Sequence, residues 1–183
     1  MPSRRLPISE IPKYAQLENE RRFLVDPVKM PDLEGLAYRR IVDRYVEGTR
    51  LRLRSVTHSV TGDVEFKFCK KYPSDDPVSG AIVNIYLTAA EHGELSVLPA
   101  LIITKRRYLI SHAGCLFGLN VFEGDLAGLV LCEAEAETRE ASLAVGFPPW
   151  VGREVTEEPF FTGGHLCTVS ATQWRARAVE PGH

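Results

Sequence analysis

Charged and apolar side chains alternate along much of this chain, with the period of two that is typical of β-strands. In the segment 50–54, RLRLR, three arginines share one parity and two leucines share the other. In the segment 131–137, LCEAEAE, three glutamates share one parity and small apolar groups the other. Because successive side chains of a strand point to opposite sides, each segment predicts a strand with one strongly charged face.

The same alternation predicts about eight strands joined by short turns. A strand opens the chain within 17–25, and the others cover 38–48, 49–56, 64–72, 83–87, 101–111, 116–124 and 129–138. Helices are fewer. One begins at a capping box formed by Thr88 and Glu91, a second covers about 139–145, and a third within 168–180 has Trp174 as its anchor. Antiparallel strands with few helices predict a β-dominated α+β fold, either a barrel or a sandwich.

The charged faces allow two interpretations. An ordinary half-buried sheet would turn them toward water. A barrel with a polar interior would instead bring the arginine strand and the glutamate strand to one cavity, where they could bind anionic groups and metal cations together. The leucine face would then need cover from helices or from a partner subunit, so a homodimer is one expected arrangement.

Composition and charge exclude several classes of function. The chain has 183 residues, 44% of them hydrophobic, and a net charge of −2, which gives no global attraction to nucleic acid. No apolar run is long enough to span a bilayer, and the opening MPSRRLPISEIPKYA lacks the apolar stretch of a secretory signal. The four cysteines form no CxxC pair, the five histidines form no metal-ligand spacing, and no P-loop is present. We therefore expect a cytoplasmic protein that does not bind membranes.

Six blocks of sequence resemble successive segments of the CYTH superfamily, the triphosphate tunnel metalloenzymes. They are LENERRFLV, RIVDRYVEGTRLRLR, EFKFCKKY, ITKRRY, VFEGDLAGLVLCEAEAE and PPWVGREVTEEP, in family order. The resemblance implies an eight-stranded antiparallel tunnel with a polar, charged interior and a few flanking helices. It places an irregular lead-in at 1–13, a single tunnel domain at 14–167 and a C-terminal helix and tail at 168–183. It is strongest to small bacterial members, many of which hydrolyse inorganic tripolyphosphate to pyrophosphate and phosphate.

The resemblance also implies roles for individual residues. Divalent metal, Mg²⁺ or Mn²⁺, would be held by two acidic pairs, Glu18 with Glu20 and Glu133 with Glu135. The phosphate chain of a small anionic substrate would be held by Arg50, Arg52, Lys67, Lys105 and Arg107. Weaker matches are Arg54, Lys71, Glu137 and Glu154. Arginine suits the two-pronged contact with phosphate oxygens, and carboxylates can face phosphate through a metal ion.

One residue departs from the family pattern. The opening motif of the family is Glu-x-Glu-x-Lys, and together Glu18, Glu20 and Arg22 fill it here, with arginine as its last residue. Arginine is bulkier than lysine and stays protonated. If the family lysine only neutralises charge, Arg22 can serve; if it exchanges a proton, turnover is lost and a non-catalytic binder of polyphosphate or nucleotide results. A class IV-type adenylyl cyclase and a thiamine triphosphatase are further alternatives within the superfamily.

Overall fold

The computed structural model describes residues 12–26 and 28–178. Within this part of the chain, the nine strands are β1 (Gln16–Val25), β2 (Tyr38–Val46), β3 (Leu51–His58), β4 (Val64–Lys71), β5 (Ser79–Leu87), β6 (Ala100–His112), β7 (Cys115–Phe122), β8 (Val130–Ala136) and β9 (Val151–Glu154). The helices are α1 (Ala89–Leu95), α2 (Arg139–Leu143), α3 (Gly163–Leu166) and α4 (Ala171–Ala178), with 3-10 turns at Gly124–Leu126 and Pro159–Phe161. None of these helices is long and apolar enough to cross a bilayer.

Eight strands form a closed antiparallel barrel in the order β5-β4-β3-β2-β6-β7-β8-β1, with β1 returning to β5. The first half of β1, from Gln16 to Asn19, pairs with β5, and the second half, from Asn19 to Leu24, pairs with β8. Closure gives each of these eight strands two neighbours in the sheet. The predicted β-dominated α+β barrel is therefore confirmed.

Three elements differ from the sequence-based prediction. Strand β5 begins at Ser79 and not at 83, because Ala81 and Ile82 are buried in the barrel wall. The short strand β9 was not predicted; it adds to the end of β1, where Val151 pairs with Val25. Helix α3 was not predicted either, because it opens with two glycines, the residue type that ordinarily weakens a helix.

Local chemistry explains several boundaries. Thr88 caps α1 and Glu91 reaches back to the Thr88 backbone, so the predicted capping box is confirmed. The connection between β6 and β7 has two residues with positive φ, Ala113 at 49° and Gly114 at 78°. Two successive positive φ values match the twist of a tight hairpin, so this turn fixes the register of the long β6–β7 pair.

The outer face of the barrel carries its own apolar cluster, covered by the segments that follow β1 and α2. Phe117 and Phe23 are buried there, and Phe147 and Trp150 pack on them, with the Phe23 and Phe147 ring centroids 4.3 Å apart. On another side, α1 lies against β4 and β5, and Leu53 is only 1% exposed. The chain itself therefore covers this part of the outward leucine face.

The C-terminal segment closes one end of the barrel. Phe161 and Leu166 pack in one buried cluster with the inward side chains Ile103, Phe122 and Leu131. Helix α4 is attached by Trp174, whose Nε1 donates to the Ala127 carbonyl at 3.1 Å, so the predicted anchoring by this residue is confirmed. The predicted helix at 168–180 is shorter, Ala171–Ala178, and residues 1–11 of the predicted lead-in and 179–183 of the tail lie outside the described residues.

Candidate active site

A cavity of about 430 Å³ lies in the barrel interior, next to the apolar cluster that closes one end of the barrel. Charged side chains from β1, β2, β4, β6, β8 and the region of β3 line it, together with Asp76 near the mouth. The seven cations are Arg22, Arg50, Arg52, Arg54, Lys71, Lys105 and Arg107. The six carboxylates are Glu18, Glu20, Asp43, Asp76, Glu133 and Glu135. Eleven of the fourteen site residues predicted from the sequence therefore meet in one cavity.

Strand register explains why these groups converge. Every second residue of β1 points inward, and the register sets Glu20 opposite Glu135 and Arg22 opposite Glu133 on β8. Opposed residues on one face of an antiparallel pair have Cβ atoms about 4.5–5.5 Å apart. The acidic strand and the opening motif are thus direct neighbours, although more than a hundred residues separate them in the chain.

Glu133 is the centre of a buried ion cluster. Its carboxylate accepts a hydrogen bond from Nη2 of Arg107 and lies 3.7 Å from Nζ of Lys105. Arg107 reaches it across β7, where Gly118 offers no side chain and Asn120 accepts from Arg107 Nε at 2.9 Å. Burial by itself would raise the pKa of Glu133, but Arg107 and Lys105 outweigh it and hold that pKa well below the usual range. Glu133 is therefore a carboxylate in the resting cavity.

Glu20 lies in the same cluster and has the opposite tendency. Burial, and then the nearby charge of Glu133, raise the pKa of Glu20 above its usual value. Its carboxylate pairs with Arg22, at 3.7 Å between Nη1 and Oε1. Two carboxylates that disfavour each other's charge are a place where an added cation is stabilising.

The pKa of Lys105 is shifted as well. Burial lowers its pKa to about 8, and the opposing attraction of Glu133 does not restore it. Arg107 and Arg54 lower the pKa further by like-charge repulsion. A cavity amine in this range can lose its proton within the physiological range of pH.

Asp43 is the main cavity residue that sequence analysis missed. Its carboxylate, 3% exposed, accepts from Arg54 Nε at 2.6 Å and Nη2 at 2.8 Å, and lies 3.4 Å from Arg52 Nε. Burial alone would raise the pKa of Asp43, but Arg52 and Arg54 hold it well below its usual range. Asp43 has the same parity as inward-facing Tyr45, and that signal could have found it.

The mouth of the cavity is built by the end of β4 and the segment 72–80. Lys71 Nζ lies 2.8 Å from the Glu18 carboxylate. Asp76 receives a 2.7 Å bond from Arg139 Nε on α2, which ties this segment to the neighbouring helix. The mouth is therefore defined by side-chain bonds between elements that are distant in sequence.

No family profile matches the chain. It is 49% identical over 45 residues to the inorganic triphosphatase of Nitrosomonas europaea, a stretch covering 25% of this chain and 30% of that protein, so the alignment spans less than a third of the relative. A crystal structure of the inorganic triphosphatase NE1496 covers 82% of this chain and 93% of its own, at TM-score 0.54 and 26% identity. The structure of a candidate adenylate cyclase from Bacillus halodurans covers 81% and 100%, at TM-score 0.50; its 15% identity shows the fold alone. These likenesses support the resemblance to the CYTH superfamily.

Three predicted site residues lie outside the lining of the cavity. Glu154 is on the outer side, where Arg21 binds it through two hydrogen bonds at 2.9 and 2.6 Å, because Arg21 has the opposite parity to Arg22. Glu137 follows the last residue of β8 and is exposed. Lys67 is the register partner of Arg54 on β4. Its Nζ lies 3.4 Å from a Glu65 carboxylate oxygen and 4.9 Å from the centroid of the Tyr86 ring. The structure thus places these three outside the cavity that gathers the other predicted groups.

The donor chemistry of the cavity fits a hard divalent cation. Glu18, Glu20, Glu133 and Glu135 all supply carboxylate oxygens, the ligands that Mg²⁺ prefers. Among the described residues, no three acidic, histidine or cysteine side chains are gathered closely enough to hold a metal as they stand. Three of these carboxylates form ion pairs with the protein's own cations instead: Glu18 with Lys71, Glu20 with Arg22 and Glu133 with Arg107. A bound cation would therefore have to exchange places with these side-chain partners.

Proposed function

We propose that this chain hydrolyses inorganic tripolyphosphate to pyrophosphate and orthophosphate, with Mg²⁺ or Mn²⁺ as cofactor. The observation that carries the proposal is one cavity lined by seven cations and six carboxylates. A polyanion needs several fixed cations, and a divalent ion needs the carboxylates. The likeness to a protein known as an inorganic triphosphatase supports the choice of substrate.

The cations of the cavity would bind and align the phosphate chain. Arginines offer planar, two-pronged contacts to phosphate oxygens, and each close charge pair is worth up to about 4 kcal/mol at an effective dielectric near 20, before desolvation is subtracted. Nε of Arg22 is buried without a hydrogen-bond partner among the described residues. A buried unsatisfied donor is costly, so a phosphate oxygen at this position would be stabilising.

The carboxylates would hold the metal ion. When bound, a divalent cation neutralises phosphate charge and acidifies a coordinated water. Glu20 and Glu133 are the best placed to hold it, because burial and then the charge of Glu133 already raise the pKa of Glu20. The incoming phosphates would bind three cations that now pair with carboxylates of the cavity, namely Arg22, Arg107 and Lys71. Phosphoryl transfer then needs mainly alignment and charge neutralisation.

The decisive experiment measures phosphate release from tripolyphosphate with Mg²⁺ and with Mn²⁺, with pyrophosphate and ATP as alternative substrates. We expect metal-dependent release from tripolyphosphate and a loss of about a thousandfold in Glu20→Ala, since it removes a metal ligand. The matched control is Glu154→Gln, a glutamate that faces the opposite side and should keep activity within about threefold. Equal losses in both variants, or release that continues in chelator, would contradict the proposal.

A second candidate is a CYTH protein that binds polyphosphate without turnover. Arg22 in the place of the motif lysine favours it, because a guanidinium cannot exchange a proton near neutral pH. Tight, metal-dependent binding of tripolyphosphate with no phosphate release would support this candidate. Restored release in Arg22→Lys would then identify position 22 as the cause.

A further inference from the structure

Asp43 is a buried carboxylate in a cavity that is otherwise suited to bind polyanions. Its residue is 2% exposed, it lies among Arg52, Arg54 and Lys105, and the proposed reaction assigns it no role. A negative charge at this place opposes anion binding unless it does something else. The positions of its two arginine neighbours indicate what that is.

The two arginines bind Asp43 in different ways. Arg54 gives it two short charge-assisted bonds, from Nε at 2.6 Å and from Nη2 at 2.8 Å, so one whole edge of the guanidinium is occupied. The hydrogen bonds of Arg52 go to neutral groups, since its Nε donates to the Cys69 sulfur at 3.1 Å and its side chain bonds to the Tyr45 hydroxyl, while Asp43 attracts its charge without a short bond. Its contact with Asp43 is longer, at 3.4 Å.

This difference divides the charges between two tasks. A carboxylate that receives two parallel bonds from one guanidinium neutralises that guanidinium and fixes its plane. The thiol and hydroxyl partners of Arg52 hold its position but leave its charge available to a ligand. Removing only one member of a buried ion pair leaves the other charge uncompensated, which makes the pair separable by paired substitutions.

We propose that Asp43 is a positioning residue that keeps Arg54 as its own counter-ion and holds Arg52 for the anion, so that Arg52 and not Arg54 contacts the phosphate chain. The proposal rests on the proposed function only in taking tripolyphosphate as the anion. Asp43 then sets how many of the cavity arginines a substrate meets, a specificity role that the parity of the RLRLR strand does not reveal.

The test measures the dissociation constant of tripolyphosphate by calorimetry in buffer with a chelator, so that no turnover is needed. We expect Arg52→Gln to weaken binding by at least about thirtyfold, because a charge-assisted contact is lost. Arg54→Gln alone should weaken it by about tenfold, because Asp43 is then an uncompensated negative charge in the cavity. In the double variant Asp43→Asn with Arg54→Gln, binding should return to within about threefold of the unaltered chain.

The control is the double variant Asp43→Asn with Arg52→Gln, which frees Arg54 and should therefore bind more tightly than Arg52→Gln alone; equal affinity would show that Asp43 does not withhold Arg54 from the anion. If Asp43→Asn with Arg54→Gln binds as weakly as Arg52→Gln, Arg54 contacts the anion and the proposal is wrong. Unchanged affinity in Arg54→Gln would also overturn it, since a merely structural pair would change only the melting temperature. If Arg54→Gln does not fold, the dissociation constant of the double variant Asp43→Asn with Arg54→Gln, compared with that of Arg52→Gln, still tests the proposal. An unaltered chain that binds no tripolyphosphate in chelator would overturn this proposal, whereas the proposed function fails only if phosphate release is also absent with Mg²⁺ and with Mn²⁺.

Discussion

The two faces of the β7–β8 wall are both buried, but their chemistry is opposite. On the outer face, Phe117 and Cys132 are 0% exposed and pack among aromatic rings. On the inner face of the same two strands, Asn120 and Glu133 face Arg107 and other charges. The two regions are one sheet thickness apart, so the difference arises only from side-chain parity.

Stability and ligand binding are located on opposite faces of this wall. Burial of aromatic side chains contributes about 25 cal/mol per Å² of apolar area, which makes the outer cluster a main source of folding free energy. Paired charges recover little more than the cost of their desolvation, so the inner cluster is weak evidence for stability. A charged interior that contributes little to folding is expected at a binding site, where ligands supply the missing compensation.

The largest expected effect separates the two regions directly. Phe117→Ala should lower the free energy of unfolding by about 3–5 kcal/mol, because it leaves a cavity in the outer cluster. The measurement is urea unfolding, with Leu116→Ala as control, since Leu116 is 54% exposed and should change stability little. Phosphate release per folded molecule should stay within about threefold. A loss of release as large as that in Glu20→Ala would mean that the two faces are not independent.

A smaller effect is expected where the C-terminal segment meets the cavity. A Cβ added at Gly163 would lie 1.9 Å from the Tyr45 hydroxyl oxygen, whereas one added at the adjacent Gly164 meets nothing within 4 Å. Gly163→Ala should therefore displace Tyr45 from Arg52 and cost about 1–3 kcal/mol of stability. Gly164→Ala is the matched control. Equal melting temperatures for the two variants would show that the segment does not pack on Tyr45.

The smallest expected effect concerns pH. Lys105 has a pKa of about 8 in the folded chain, below its ordinary 10.5, so it is charged below pH 8 and neutral above it. Raising the pH from 7 to 9 removes one cavity cation, and tripolyphosphate should bind several-fold more weakly. Around Lys105, Glu133 and Asp43 raise this pKa, and Arg107 and Arg54 lower it.

Calorimetry across this range, with Lys105→Met for comparison, measures the effect. The methionine variant carries no charge at either pH, so only the titration of the ligand itself should remain. An identical pH dependence in both proteins would exclude Lys105 as the titrating group. A bound polyanion stabilises the charged amine, so at saturating ligand the fall should move to higher pH.

The sequence by itself determined the strand pattern, the barrel and most of the cavity. Parity along a strand decides which side chains share a face, and the family resemblance then assigned the face of Glu20, Arg22 and Glu133 to the interior before any coordinates. The capping box of α1 and the anchoring of Trp174 were also readable, because both depend on local spacing.

Which charged side chains contact each other depends on the tertiary structure. Parity cannot tell how far along the barrel a residue lies, so Lys67 and Glu137 have inward parity yet lie outside the cavity lining. Asp43 was missed because one acid between Ile41 and Tyr45 on its face of the strand forms no pattern, and its meaning depends on β3 lying beside β2. Charge pairing across strands is a long-range property set by register and shear, and the period of a single strand carries no information about either.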